Sequence, residues 1–105
     1  MTEIRTFDDI EHRVLAWGQD RDLYSQSTAK AQAIKLGEEF GELMADLARG
    51  RCPSDSIGDM MVVLTHIAHF HGLSLTGCYA SAYREIEPRK GKFVDGVFIK
   101  ESDLA

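Results

Sequence analysis

The chain has 105 residues, which is enough for one domain with a modest core and too few for two. Its formal net charge of −5 argues against a broad surface for binding phosphate backbones, so we expect no long nucleic acid as a partner. No stretch approaches the ~18 consecutive apolar residues of a membrane span, and residues 1–5 lack the basic-then-apolar order of a signal peptide. We therefore expect a single domain over residues 1–105 that is cytoplasmic and has no membrane partner.

The N-terminal half predicts two amphipathic helices. Apolar residues at three- and four-residue intervals indicate a first helix over residues 7–18, with Thr6 as its N-cap. The polar stretch 19–26 predicts a loop. A longer second helix is expected over residues 28–49, because Gly50 stands where a C-terminal glycine belongs. One stripe of this helix is apolar: Leu36, Phe40, Leu43 and Leu47.

The next segment predicts a third helix that is apolar nearly all round. We expect it to begin with Ser54 as its N-cap and to stop at Gly72. A helix without a polar face belongs in the middle of a bundle, so this helix should lie centrally.

A fourth helix is expected over residues 74–87, and Pro88 ends it. Residues 93–99 alternate weakly around Asp95-Gly96, a two-residue hairpin signal. The predicted fold is therefore an all-α bundle of four to five helices with a short C-terminal hairpin or an extended arm. Helices in so short a chain rarely enclose a deep pocket alone, so we expect a homo-oligomer, either a homodimer or a homotetramer.

Acidic residues cluster on the second predicted helix. Glu38, Glu39 and Glu42 lie within five residues, and each of the first two is about one turn from Glu42. Like charges at this spacing cost an isolated helix about 0.2–0.5 kcal/mol per pair, and Lys35 is a cation just upstream. These glutamates alone are equally typical of a solvated helix face.

A second acidic position lies on the third predicted helix. Asp59 sits in the run 57–64, where apolar residues point in every direction, so we expect it to be buried and to need a counter-charge. Asp55 lies one turn earlier on the same side, although an acid in a first turn also simply complements the helix dipole. Oxygen-only ligands suit Mg²⁺ or Mn²⁺ rather than zinc, so the sequence predicts a site for a hard cation between the two helices.

Basic residues are candidates to meet an anionic substrate. Lys35 and the run of Arg89, Lys90 and Lys92 could bind phosphates, and the alternative for the run is a basic C-terminal turn favoured by the helix dipole.

Aromatic and histidine side chains allow weaker interpretations. Trp17 and Arg21 could frame a nucleobase, although a lone tryptophan on an amphipathic helix is more often core. A histidine cluster near the end of the third helix lacks a third metal ligand, and we expect it at a subunit contact or in solvent: His66, His69 and His71.

The order of motifs along nearly the whole chain resembles the MazG-like nucleoside triphosphate pyrophosphohydrolases, in particular the compact, phage-type members. The resemblance is carried by WGQDR at 17–21, KLGEEFGEL at 35–43, IGDMMVVL at 57–64, GLS at 72–74, AY at 82–83, RKGK at 89–92 and DGVFIKE at 95–101.

The family pairs an EExxE motif on one helix with ExxD on the next. Glu38, Glu39 and Glu42 match the first motif, and Asp59 matches the final aspartate of the second. Ser56 stands where ExxD would place glutamate, and Asp55 lies one position earlier.

The resemblance implies an all-α MazG-type fold that pairs with another subunit and binds Mg²⁺ between the two acidic helices. It implies hydrolysis of (deoxy)nucleoside triphosphates to a nucleoside monophosphate and pyrophosphate. Glu39, Glu42 and Asp59 are then the expected metal ligands, with Asp55 acting directly or through water. Glu38 is expected to be catalytic, either as a ligand for a further ion or as the base.

Two other functions stay open from the residues alone. A non-catalytic regulatory or adaptor module would leave the acidic face solvated. A related pyrophosphohydrolase could act on a phosphoribosyl compound or a modified nucleotide, since base and sugar selectivity depends on pocket shape rather than on the acidic motif.

Overall fold

The computed structural model describes residues 3–104. Within them five helices, one antiparallel hairpin and a short 3-10 turn follow in chain order: α1 (Phe7–Asp20), α2 (Leu23–Gln26), α3 (Ala29–Ala48), α4 (Ser54–Phe70), α5 (Leu75–Ile86), β1 (Gly91–Val94), β2 (Val97–Lys100) and the turn Glu101–Asp103. The predicted bundle with a C-terminal hairpin is confirmed at this level. No helix within residues 3–104 has the length and apolarity that crossing a bilayer requires.

The start of α1 agrees with the prediction, and the loop expected after it does not. Thr6 caps α1: its hydroxyl accepts a hydrogen bond from the amide of Asp9 at 3.0 Å. The predicted loop over residues 19–26 is wrong in part, because α1 continues to Asp20 and α2 forms a further helical turn. The reason is tertiary packing: Tyr24 of α2 lies against the rings of His69 and Phe70 in α4.

A tight turn joins α3 to α4. Thr28 caps α3 as its hydroxyl accepts from the amide of Ala31, and Gly50 after the helix takes a φ of +65°, which favours glycine. The N-cap of α4 is Pro53, so the prediction of Ser54 is wrong by one position. Ser54 is already helical because the amide of Ile57 bonds back to the carbonyl of Pro53 at 2.9 Å.

A buried carboxylate from α1 holds the start of α5. Glu11 is only 5% exposed and accepts four hydrogen bonds: from the Leu75 amide at 2.6 Å, the Thr76 amide at 3.1 Å, the Thr76 hydroxyl at 2.5 Å and the Ser74 hydroxyl at 3.1 Å. Burial opposes ionisation of this carboxyl, but the hydrogen bonds from Thr76, Leu75 and Ser74 outweigh it and lower the pKa of Glu11. Glu11 therefore acts as a remote cap that ties two helices together.

α4 lies in the middle of the bundle, as predicted, with α3 on one side and α1 and α5 on the other. Val63 and Ala68 of α4 are the buried apolar residues of the described chain, at 5% and 7% exposed. The chain exposes 7989 Å², whereas a monomer of its mass is expected to expose about 5900 Å². Its radius of gyration is 16.6 Å, against about 13 Å for a compact domain of this length. A single copy thus leaves much apolar surface uncovered.

The C-terminal hairpin forms around the predicted Asp95-Gly96 turn. Both turn residues have positive φ, +53° and +81°, as a tight hairpin turn requires. Phe93 pairs with Phe98, and their rings meet edge to face at a centroid distance of 5.6 Å. β1 packs mainly on β2 and the 3-10 turn, and no helix covers the hairpin extensively within the described part of the chain.

We predict that Glu11→Gln destabilises the fold by about 1–3 kcal/mol. The NH₂ group of glutamine cannot accept the hydrogen bonds that one carboxylate oxygen of Glu11 now accepts, so some donors at the start of α5 would lose their partner. Since the folded-state pKa is depressed, the contribution of Glu11 is present above its ordinary, unfolded pKa of 4.5 and is lost as the pH falls through the lower folded value. Urea unfolding at pH 7 and at pH 3 measures both effects.

The control is Glu85→Gln, which changes an exposed acid of α5. Equal unfolding midpoints for Glu11→Gln and Glu85→Gln at pH 7 would contradict the capping role.

Candidate metal centre

The candidate site lies where α3 and α4 run side by side after their tight turn. Asp46 near the end of α3 fixes this pairing: it accepts a hydrogen bond from the Ser56 hydroxyl at 2.6 Å and an ion pair from Arg51 at 3.2 Å. Ser56 is 3% exposed and occupies the position where the ExxD motif would have glutamate. In this chain that position therefore helps to join the two helices.

Three carboxylates from the paired helices converge. Glu39, Glu42 and Asp59 each offer a carboxylate oxygen, and these oxygens lie within 4.8 Å of one another. Oxygen atoms at this spacing repel one another when the groups are ionised, and a cation between them would offset the repulsion. The three residues expected as metal ligands are thus brought together by the fold.

Glu39 is the buried member of the group. It is 5% exposed, its Oε1 lies 3.4 Å from the ammonium of Lys35, and its Oε2 is buried without a hydrogen-bond partner among residues 3–104. A buried carboxylate oxygen without a partner costs free energy, so this position calls for a ligand that accepts electron density. A hard cation fits that need.

The prediction that Asp59 is buried is wrong. Asp59 and Glu42 are exposed in the single chain, while Glu39 carries the burial. The apolar run around Asp59 suggested helix neighbours on every side, but α3, α1 and α5 pack on α4 without covering Asp59 itself. This correction leaves Asp59 within the cluster and accessible to a substrate.

Glu38 and Asp55 lie outside the group of three. Glu38 is exposed and takes a hydrogen bond from Lys35 at 3.4 Å. The hydrogen bonds of Lys35 to Glu38 and then to Glu39, together with their charges, raise the pKa of the Lys35 ammonium, so it stays cationic. Asp55 is exposed and shares a pocket with Glu42 rather than the three-oxygen cluster.

That pocket contains two cations that sequence reasoning missed. It has a volume of about 480 Å³, and Arg49 and Arg51 line it together with Glu42, Asp46, Asp55 and Ser56. Arg51 pairs with Asp46, whereas Arg49 is exposed and makes no ion pair within the described residues. The usable signal was the RGR sequence at 49–51, directly between the two acidic helices.

Trp17 and Arg21 stack on each other at the end of α1. The guanidinium of Arg21 lies 4.4 Å from the centre of the Trp17 ring and donates to the Trp17 carbonyl at 3.1 Å. The ring of Trp17 also stacks on His66, with centroids 6.2 Å apart and planes at 27°. Trp17 remains 47% exposed, so it is not a core residue.

His66 supports this aromatic group from α4, contrary to the expectation of a subunit contact or solvent. It is 2% exposed, and its Nδ1 lies 2.8 Å from the Tyr24 hydroxyl. Burial, followed by the charge of His69, lowers the pKa of His66, while burial raises the pKa of Tyr24. Both groups are therefore neutral at pH 7. His66 follows Asp59 by seven residues, so it lies on the same side of α4 and about 10 Å further along.

The remaining predicted cations lie elsewhere. Arg89 and Lys90 follow α5, and Lys92 lies in β1; all three are exposed. Within the described chain, neither that segment nor the hairpin packs extensively on α3. The fold therefore brings together the acidic ligands and Lys35 but leaves these three cations away from them.

The donor set fits magnesium. Three carboxylates from two rigid helices give an oxygen-only set, and exposed Glu42 and Asp59 leave room for waters and substrate phosphates. Mg²⁺ favours such partly open sites over closed protein cages.

One curated relative is similar to part of the chain. The uncharacterized 18.2 kDa protein in the rep-hol intergenic region of Haemophilus phage HP1 (strain HP1c1) is 46% identical over 54 residues, which is 50% of this chain and 33% of that protein. The chain thus matches about a third of the length of this relative. No family model matches the chain, and no solved structure matches it significantly.

We predict that the folded protein binds Mn²⁺ and that Asp59→Asn weakens the affinity at least about tenfold, because it removes one charged ligand. Titration followed by the electron paramagnetic resonance of free Mn²⁺ measures the affinity directly. Glu85→Gln serves as the control, since that exposed acid lies on α5. Equal Mn²⁺ affinity in the native protein and Asp59→Asn would remove Asp59 from the centre.

Proposed function

We propose that this protein is a Mg²⁺-dependent hydrolase that splits nucleoside triphosphates between the α and β phosphates, releasing a nucleoside monophosphate and pyrophosphate. The convergence of Glu39, Glu42 and Asp59, with a buried oxygen of Glu39 that lacks a partner, is the observation that supports this function most strongly. A merely solvated acidic face would keep its carboxylates apart and hydrated.

The proposed reaction assigns a role to each of the chain's acidic residues. Glu39, Glu42 and Asp59 would hold the metal. When bound, Mg²⁺ would neutralise phosphate charge and lower the pKa of the attacking water. The water oxygen would form a bond to the α phosphorus, the bond from that phosphorus to the oxygen bridging to the β phosphate would break, and pyrophosphate would leave with the bridging oxygen. Glu38 can take the water's proton or serve as a further ligand.

Cations near the acidic group suit the leaving pyrophosphate. Lys35 stays protonated beside Glu38 and Glu39, so it can bind a phosphate oxygen as it approaches the metal. Arg49 and Arg51 line the pocket beside the turn between α3 and α4, and Glu42 lines the same pocket. Charge-assisted hydrogen bonds from these groups would stabilise the charge that builds up on the leaving group.

Trp17 is suited to contact the base of the nucleotide. It is half exposed and contacts Arg21 and His66, the second of which follows Asp59 by seven residues on α4. An exposed aromatic ring can stack on a base. We also propose three further phosphate ligands, Arg89, Lys90 and Lys92. They would reach a phosphate at the acidic group only with a different arrangement of the C-terminal segment or from a second copy.

The active unit we propose is a homodimer or homotetramer. The acidic face is open in one copy, and a single chain exposes about 2100 Å² more surface than a monomer of this mass should. That excess is in the range buried by obligate subunit interfaces.

Two other functions predict different behaviour. A regulatory or adaptor protein would bind no metal and release no pyrophosphate. A pyrophosphohydrolase for a phosphoribosyl compound or a modified nucleotide would keep the metal centre and differ at the base pocket around Trp17.

We predict Mg²⁺-dependent release of pyrophosphate from at least one member of a panel of canonical and modified nucleoside triphosphates and phosphoribosyl nucleotides. Asp59→Asn should lower kcat at least about 100-fold while the protein remains folded, since Asp59 is exposed and supports no core contact. A pyrophosphate assay measures turnover, and circular dichroism checks folding.

Glu85→Gln is the control for that experiment and should retain full activity, because Glu85 lies on α5 away from the three-oxygen cluster. Silence of the native, Mn²⁺-binding protein across the whole panel would contradict the hydrolase, and full activity of Asp59→Asn would contradict the role of Asp59.

We further predict that Arg49→Gln raises KM for the preferred nucleotide about tenfold, by loss of one charge-assisted hydrogen bond of about 1.5 kcal/mol. Arg49 makes no ion pair within residues 3–104, so the change should leave the turn intact. Arg84→Gln, in the last turn of α5, is the matched control. Identical KM values for both variants would place Arg49 outside the substrate pocket.

A further inference from the structure

The hairpin of β1 and β2 carries apolar side chains on both faces. Its register puts Phe93 and Phe98 on one face and Val94, Val97 and Ile99 on the other. Phe93 is 73% exposed and Val97 is 62% exposed. A two-stranded hairpin is at best marginally stable in water by itself, so this one needs a surface that covers it.

The segment that contains the hairpin differs in charge from the rest of the molecule. Residues 89–100 contain four Lys or Arg and one Asp, a net charge of +3, whereas the rest of the chain contains eight Lys or Arg and sixteen Asp or Glu, a net charge of −8. The helical body is therefore complementary in charge to the hairpin.

An apolar groove lies along α5 where it meets the start of α1. It has a volume of about 470 Å³ and is lined by Phe7, Thr76, Tyr79, Tyr83 and Ile86, with two alanines between them. Tyr79 and Tyr83 are more than half exposed, and Phe7 packs on Tyr79 at a ring distance of 5.9 Å. Aromatic side chains of this kind are typical of the buried centre of an interface.

The excess surface of the single chain indicates how much a partner must cover. About 2100 Å² per copy exceeds what a monomer of this mass exposes, and obligate dimers bury about 2000–5000 Å² in total. A second copy has the same uncovered hairpin and the same uncovered groove. The hairpin of each chain can therefore cover the groove of the other.

We propose that the hairpin of each copy docks into the α1–α5 groove of a second copy, so that two chains exchange their C-terminal arms. The linker of four residues between Ile86 and Gly91 lets the arm leave at the end of α5 that borders the groove. In a two-fold pair the arms then cross reciprocally, and each covers Tyr79 and Tyr83 of the other chain.

The arrangement is tested by analytical ultracentrifugation of the full chain with two sets of substitutions. Phe93→Asp with Val97→Asp alters the arm, and Tyr79→Asp with Tyr83→Asp alters the groove. All four side chains are exposed in one copy, so each variant should fold. Each variant alone should halve the mass of the native assembly, with the dissociation constant raised at least about 100-fold.

Mixing the two variants gives the decisive result. The arm of the groove variant can still dock into the groove of the arm variant, so the mixture should regain the native mass at high protein concentration. Ile34→Asp, which changes an exposed apolar residue of α3, should keep the native mass throughout.

Three outcomes would overturn the exchange of arms. They are an unchanged mass in either variant, a mixture that fails to associate, and an equal loss of association in Ile34→Asp. An unchanged mass in the groove variant alone would indicate contact between two arms instead. These results do not depend on catalysis, because mass is measured without nucleotide or metal.

Discussion

Repulsion among three carboxylates is the constraint on which this structure depends. Glu39, Glu42 and Asp59 are brought within 4.8 Å of one another by the pairing of α3 and α4, and Glu39 is buried there. Folding this arrangement without a counter-charge costs free energy, and Lys35 offsets only part of it from the edge. Ser56 and Arg51 both bind Asp46. These contacts join α3 to α4 near the turn between them, outside the group of three carboxylates.

The rest of the fold is organised to keep α4 in place. α3 covers one side of α4, and α1 covers another, while Glu11 fastens α1 to the start of α5 through hydrogen bonds to Ser74, Leu75 and Thr76. So few helices cannot also close the acidic face or cover the C-terminal hairpin. The open face suits a substrate, and the uncovered apolar surfaces suit a second copy of the chain.

Local sequence signals predicted much of this architecture. Periodic apolar residues, the Thr6 cap and the Asp95-Gly96 turn act over a few residues, and the structure confirms them. Three predictions were wrong, in whole or in part: the burial of Asp59, the loop at 19–26, and the position of His66 in solvent or at a subunit contact. Each depends on which helix packs on which side, as in the contact of Tyr24 with His66, and a single sequence does not contain that information. Spacing predicted acidic groups on two helices, and the resemblance implied Glu39, Glu42 and Asp59 as the ligand set, whereas the buried role of Glu39 came from the fold.

The central claim is that a divalent ion lies between these three side chains, and anomalous diffraction from crystals grown with Mn²⁺ tests it most directly. The account predicts an anomalous peak in direct contact with carboxylate oxygens of Glu39, Glu42 and Asp59. A Mn²⁺ peak at other residues, with these three carboxylates turned toward solvent, would contradict it.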